Sequence, residues 1–292
     1  MSIEITSPGV YDLPAEVYHR DPVPGGSLSQ SGAKLLLPPS CPALYAYEQE
    51  HGRPGRRLSR HDAAPLRIGG AAHRLVLGAG AEIERVEADS WRTKAAQATG
   101  DAAEAAGRIP LLTAEHDQVL AMAAAVEQHP IAGPLFRPGS GRPEQSLFWR
   151  DQAHPDVWRR ARPDWLPHPG SGRMILPEYK TAKSAARDAV ERAIWDHGYH
   201  IQDAWYCDAV LALQLAGEVA FVLVVQEKTP PYLVHVVEPD APAVRVGRLQ
   251  ARMAIDVYRQ CRRTGRWPGY AEDVTLVSLP PWAQRQFTEE TW

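Results

Sequence analysis

Seven consecutive apolar residues, Val219-Ala220-Phe221-Val222-Leu223-Val224-Val225, set the strongest condition on the fold. A short run this rich in β-branched residues, without alternation, is expected of a strand buried on both faces, and such a strand needs helices packed on either side. No apolar run reaches the roughly 18 residues of a membrane span. The opening Met1-Ser2-Ile3-Glu4-Ile5-Thr6 has no basic region followed by an apolar stretch, so neither secretion nor membrane insertion is expected. With 44% apolar and 23% charged residues over 292 positions, the composition is that of a globular chain.

Around that strand the period of the sequence changes along the chain. Ser29 to Leu37 reads as a short helix capped by serine and stopped by Pro38-Pro39; Ala43 to Glu50 reads as a second, and Leu66 to Leu77 as an apolar helix carrying His73. A helix signal from Thr113, with Leu120, Met122, Ala123 and Val126, ends before Pro130, so residues 1–140 are expected to be mainly helical. From Glu144 three short runs follow, Gln145–Trp149, Val157–Trp165 and Met174–Thr181, separated by turn residues and expected to form a meander. A helical stretch from Ala185 to about Leu215, broken at Gly198, precedes the buried strand, and Tyr232 to Val237 gives another strand. A helix over Ala243 to Arg263 and an irregular tail from 265 complete the chain. Strands, long helix, strands, helix is an α/β pattern, with the core at 141–264 and one domain over 1–292.

Three scattered cysteines, Cys41, Cys207 and Cys261, exclude a disulfide framework, a zinc ribbon and a four-cysteine cluster, and suit a reducing cytosol. The formal charge of −3 argues against a chain that coats polyanions. A sum can still hide a local stripe: 27 of the 32 basic residues are arginines, concentrated in Arg53 to Arg74, Arg159 to Arg173 and Arg252 to Arg266.

Side chains alternate along a strand, so Trp158, Arg160, Arg162 and Asp164 are expected on one face, and Leu176, Glu178 and Lys180 on another. If the two strands pair about their turn, Asp164, Glu178 and Lys180 converge. Two close carboxylates repel unless a cation lies between them, and oxygen ligands suit Mg²⁺ or Mn²⁺. A lysine one pleat away can orient or deprotonate a water, the equipment of metal-assisted phosphodiester hydrolysis. The same spacing also fits a solvated ion pair on an edge strand.

Several motifs in order extend the pattern: Gly69-Gly70-Ala71-Ala72-His73, Glu144-Gln145-Ser146-Leu147-Phe148-Trp149, Arg160-Ala161-Arg162-Pro163-Asp164, Glu178-Tyr179-Lys180-Thr181, and Gly198-Tyr199-His200-Ile201-Gln202 leading to Tyr206. Tyr18-His19 with Leu28-Ser29-Gln30-Ser31, and Gly265-Arg266-Trp267-Pro268-Gly269-Tyr270 with Leu279-Pro280-Pro281-Trp282-Ala283, flank them. Together they resemble the PD-(D/E)xK nucleases similar to exodeoxyribonuclease VIII, the RecE-type exonucleases of phages and prophages, over about residues 9 to 284.

The resemblance implies a restriction-endonuclease-like α/β core, a mixed central sheet flanked by helices with a helical N-terminal part. It implies a Mg²⁺-dependent exonuclease, Mn²⁺ being an alternative, that digests linear double-stranded DNA 5′→3′, releases 5′ nucleotides and serves recombination. Asp164 and Glu178 would be metal ligands, with His73 completing the site and Lys180 serving the water. Gln202 and Tyr206 would match a Gln-x-x-x-Tyr pair on the helix behind it, one turn apart on one face. It further implies a homo-oligomeric ring on duplex ends, a tetramer in the family, beside a single-strand annealing protein in the cytoplasm of a bacterial or phage-infected cell. Pro177 departs from the family, which has an apolar residue and Asp where this chain has Pro177-Glu178.

Each candidate also has an ordinary account. His73 on an apolar helix can be a satisfied core histidine, and Glu144 a solvated carboxylate opening a strand or a further group at the metal site. Arg162 can contact phosphate or merely neutralise carboxylates. Gln202 and Tyr206 can contact the nucleic-acid backbone, position water or pack a helix. Arg53, Arg56, Arg57 and Arg60 fit a solvated loop or a DNA contact. Asp196, His197, His200 and Asp203 read as helix-surface polarity rather than a second metal site, and Trp195 and Trp205 as core aromatics. Two other functions stay open: a DNA-binding or assembly module on the same fold without catalysis, and a nuclease for single-stranded, flap or defence-related DNA.

Overall fold

A computed structural model describes residues 3–52, 59–170 and 172–286, the side chain of His61 aside. The first half runs β1 (Gly9–Tyr11), α1 (Ala15–His19), β2 (Leu28–Ser29), α2 (Gln30–Leu35), α3 (Pro42–His51), α4 (Arg60–Leu77), β3 (Ile83–Val86), α5 (Lys94–Ala105), β4 (Ile109–Leu112), α6 (Thr113–Gln128) and α7 (Ala132–Leu135). The second half runs β5 (Gly141–Pro143), β6 (Ser146–Arg150), β7 (Trp158–Ala161), β8 (Trp165–Pro167), β9 (Arg173–Ala182), α8 (Arg187–His197), α9 (Tyr199–Ala212), β10 (Glu218–Glu227), β11 (Val234–Val237), α10 (Ala241–Thr264) and α11 (Pro281–Arg285).

The apolar run forms the centre of β10, between β9, parallel to it, and β11, antiparallel to it. Both faces are covered, as a continuous apolar strand requires. Phe221, Leu223 and Val225 join Leu176 of β9 in a core with α9 and α10, while Val224 and Tyr179 face Ala72, Met122 and Val126 of α4 and α6. Gly247 lets α10 approach α9: a Cβ there would lie 1.9 Å from the His200 carbonyl oxygen. Gly198 sits at φ +70°, in the left-handed region that ends one helix and starts another, so the expected break between α8 and α9 falls there.

Residues 1–140 are mainly helical and also carry short strands: β1 and β2 flank β6 and β7 in a mixed sheet of order β1-β6-β7-β2, and β3 pairs with β4. Two expectations need correction. α4 begins at Arg60 rather than Leu66, because the Ser59 side chain accepts the Asp62 N–H and caps a turn upstream. The three runs from Glu144 do not make one meander. Pro163, which has no N–H to donate, follows β7, and the chain continues into β8, which pairs with β5, while β9 joins β10. Asp164 therefore stands in the connection between β7 and β8, outside a strand.

Candidate active site

Because β9 is the edge of its sheet, the N–H groups on its outer side need partners from elsewhere. Asp164 supplies one: its Oδ2 accepts the Tyr179 N–H at 2.8 Å, and its own N–H donates to Glu178 Oε2 at 3.2 Å. This reciprocal pair of side-chain-to-backbone bonds brings Asp164 to Glu178, where pairing between neighbouring strands was expected. Pro177 is two residues from Tyr179 and has the same backbone orientation, so its missing N–H faces outward and removes no bond to β10.

Leu176, Glu178 and Lys180 do share the face toward α9. Lys180 Nζ donates to Glu178 Oε1 at 2.9 Å and lies 5.5 Å from the Tyr199 ring centre; Gln202 Nε2 donates to the same Oε1 at 2.7 Å. From α4, His73 Nε2 lies 3.1 Å from Asp164 Oδ1, and its Nδ1 lies 3.8 Å from Glu144 Oε1. Glu144 does not open a strand: it holds a turn at φ +47° before β6, and its N–H donates to the Asp164 carbonyl. Arg162 donates to Glu144 Oε2 at 3.1 Å and to Ser146 Oγ at 2.7 Å, so here it neutralises a carboxylate. Tyr206 shares a face of α9 with Gln202 and donates to the Arg162 carbonyl at 3.2 Å. All eight sequence candidates thus meet around one cavity of about 450 Å³, most of them lining it and His73 reaching it through Asp164.

Charge in this cluster is unevenly balanced. Burial opposes the Asp164 anion, but the Lys180 charge and the His73 hydrogen bond outweigh it and hold the carboxyl well below its usual range. Burial, reinforced by the neighbouring Asp164 charge, pushes Glu178 the other way despite Lys180. Burial alone would lower Lys180, yet the two carboxylates hold its ammonium above the ordinary value. His73 likewise rises, burial being outweighed by Asp164 and Glu144.

These donors fit a hard divalent cation. Two buried carboxylates repel, as the upward displacement of Glu178 registers, and a cation bound to Asp164, Glu178 and His73 would relieve that repulsion. Among the described residues no three His, Cys, Asp or Glu side chains stand as a ready-made ligand set. Lys180 and Gln202 occupy Glu178 Oε1, and His73 occupies Asp164 Oδ1, so loading the site requires those contacts to open.

Residues 29–280 match the family model described as a PDDEXK-like domain of unknown function (DUF3799). The chain belongs to that family. Over 94% of this PDDEXK-like chain and 98% of its own length, a crystal structure of a "putative exonuclease" from Eubacterium rectale superposes with a TM-score of 0.56 at 14% identity, a likeness of fold. No curated protein matches the chain in sequence.

Other expectations fall differently in this PDDEXK-like fold. Arg53, Arg56 and Arg57 lie outside the described residues, and Arg60 pairs with Asp101 beneath Trp91. Much of the arginine-rich segments faces inward or pairs locally: Arg159 binds Asp151 and Asp208, Arg160 binds Asp21, Arg173 binds Glu238, and Arg252 binds Asp151. Among the described residues these four arginines are therefore engaged by carboxylates of the chain. Trp205 is core at 0% exposure, but Trp195 is 63% exposed and stacks on His200. His200 and Asp203 are buried rather than surface polarity, since α9 passes under α10, whereas Asp196 and His197 are exposed. Sequence reasoning gave no role to His19, Ser29, Gln30, Ser31 or Tyr199, which also line the cavity. The signal was available, because these residues lie within the quoted flanking motifs.

No helix among the described residues is long and apolar enough to cross a membrane.

Proposed function

We propose that this protein is a divalent-cation-dependent DNA exonuclease that digests linear duplexes 5′→3′ and releases 5′ nucleotides for recombination. The observation that carries this reading is the convergence of Asp164, Glu178, Lys180 and His73 in one cavity, with Gln202 fixing Glu178. A bound Mg²⁺ or Mn²⁺ would supply charge to the phosphate and acidity to water. In hydrolysis the water oxygen bonds to phosphorus, the P–O3′ bond breaks, the water loses a proton, and O3′ takes one up. Lys180, which reaches Glu178 Oε1 at 2.9 Å, serves the attacking water from beside the carboxylates and donates a hydrogen bond to it or to a phosphate oxygen. Asp164, Glu178 and His73 would hold the cation, and Arg162 keeps Glu144 in place.

Support for a homo-oligomer comes from the tail, where Val274 and Leu276 are 97% and 98% exposed and Val277, Leu279 and Trp282 are exposed beside them. Apolar surface of this extent is what a second copy would cover. A single-strand annealing protein is the further partner in this reading, and the cytoplasm its compartment.

The test is digestion of end-labelled linear duplex, nicked circular duplex and single-stranded DNA with Mg²⁺ by the wild type, Asp164→Ala and Lys180→Ala. Mg²⁺-dependent loss of the linear duplex by the wild type alone is expected. Equal digestion by all three proteins would overturn the site, and preference for single strands would overturn the substrate. DNA binding without digestion would make the protein a binding module.

A further inference from the structure

Next to the active-site cavity lies a second cleft of about 550 Å³, between the C-terminal end of β9, α8 and the start of the connection from β10 to β11. Lys180, His197 and Tyr199 line both, so the two share a wall. The second cleft is strongly cationic: Lys180, Lys183, Arg192 and Lys228 line it against a single carboxylate, Asp196. Arg192 is engaged by Asp188 at 2.7 Å. No described carboxylate within salt-bridge distance engages Lys183 or Lys228. Lys228 is half-buried, and burial draws its ammonium below the ordinary value. An ammonium withdrawn from water without a counter-charge is unfavourable, and a bound anion offsets that cost. Apolar side chains share the lining: Val190 and Val225 with Ala182, Ala189 and Ala193. A cleft of this volume, with apolar lining and a few placed cations, has the form of a small-molecule site.

We propose that this cleft binds a 5′-nucleotide, its phosphate held by Lys183 and Lys228 and its base laid on Val190 and Val225 beside Tyr199. The proposal rests on the exonuclease reading, in which a nucleotide has to pass Lys180 at each turnover. A released mononucleotide and a nucleotide still in the strand beyond the cut present the same phosphate and base. The shared wall gives either a short path between the reacting phosphate and the cleft.

The test is calorimetric titration of the full chain with 2′-deoxyadenosine 5′-monophosphate in EDTA, which reads binding without turnover. Saturable binding is expected, at least tenfold weaker for deoxyadenosine, which lacks the phosphate. Lys183→Glu, at an exposed position that tolerates change, and Lys228→Ala should each weaken it at least fivefold. A short single-stranded oligonucleotide forms the second arm. If it binds and both variants weaken it while the monophosphate does not bind, the strand is the source and the cleft stands. No binding of either ligand, or equal binding by wild type and both variants, would overturn the cleft. Duplex digestion on the same preparations separates the two readings. Binding without digestion would remove the nuclease and leave the cleft, while digestion with unaltered binding in the variants would do the reverse.

Discussion

Two buried groups of charges meet α9 on different faces, and they are built to opposite rules. On one face Arg159 bridges Asp151 and Asp208 at 3.3 and 3.1 Å, while Arg252 clamps Asp151 at 2.9 and 3.1 Å. Two cations meet two anions, and the Arg159 guanidinium lies between the Trp149 and Trp205 rings, 4.8 and 4.0 Å from their centres. Burial works against the Asp151 anion, but Arg252 and Arg159 hold its carboxyl below the ordinary range. On the other face Asp164 and Glu178 crowd one lysine and a histidine at a cavity, and burial, reinforced by the neighbouring Asp164 charge, forces Glu178 upward. Buried charge by itself therefore says little about function. The instructive difference is that one cluster gives each carboxylate an arginine, whereas the other sets two buried carboxylates beside one another at a cavity.

Substitutions that separate the clusters should sort by readout. Asp164→Ala or Lys180→Ala is expected to cut DNA digestion by about 10³-fold or more while leaving the unfolding midpoint near that of the wild type. Arg159→Ala should do the opposite, costing about 2–4 kcal/mol in urea unfolding because Asp208 loses its partner, Asp151 is left with Arg252 alone and the space against Trp149 and Trp205 is emptied, with digestion per folded molecule retained. Equal loss of both readouts in either variant would erase the distinction.

Asp203, also on α9, probes the ground between them. Burial raises its carboxyl to about 6, against the partial help of Cys207 and Arg248, with Glu238 and Asp208 adding to the rise. A folded pKa above the unfolded value contributes stability that is complete below about pH 4 and lost as pH climbs through about 6. The wild type should accordingly lose up to about 3 kcal/mol over that window relative to Asp203→Asn, followed by denaturation at stepped pH. Parallel pH curves for the two proteins would show that Asp203 is not displaced. Gln202→Ala removes one of the bonds that fix Glu178 and a contact with Tyr206, so digestion should fall about 10- to 100-fold, most of it recovered by higher Mg²⁺. Arg187→Ala, which breaks the exposed pair with Glu191, should shift neither readout and serves as the baseline.

Much of this site was legible because period and motif act locally. Alternation alone placed Leu176, Glu178 and Lys180 on one face, helical spacing placed Gln202 over Tyr206, and Gly198 marked the break between α8 and α9. Serine capping located α2 at Ser29, whose side chain accepts the Gly32 N–H. What failed were strand pairings and side-chain partners that depend on segments far along the chain. Val157–Trp165 read as one strand, yet it divides at Arg162-Pro163-Asp164 because β7 pairs with β6 and β8 with β5. Arg160 is expected on the same strand face as Arg162 and Asp164, yet it is buried against Asp21 and Ser27, more than 130 positions away in sequence. Trp195 and Trp205 carry the same side chain, and only the packing of α9 under α10 buries one and leaves the other in solvent.

The sequence by itself determined the buried strand β10 and the helices around it, since apolar periodicity is a property of neighbouring positions, and its ordered motifs, through the resemblance they carry, named the acids, lysine and histidine of the candidate site. Only the tertiary structure decided how Asp164 reaches Glu178, which arginines are consumed inside the protein, and that a cationic cleft adjoins Lys180. Those outcomes depend on which edge of a sheet is left unpaired and which charges are removed from water together, and both are set by contacts between distant segments.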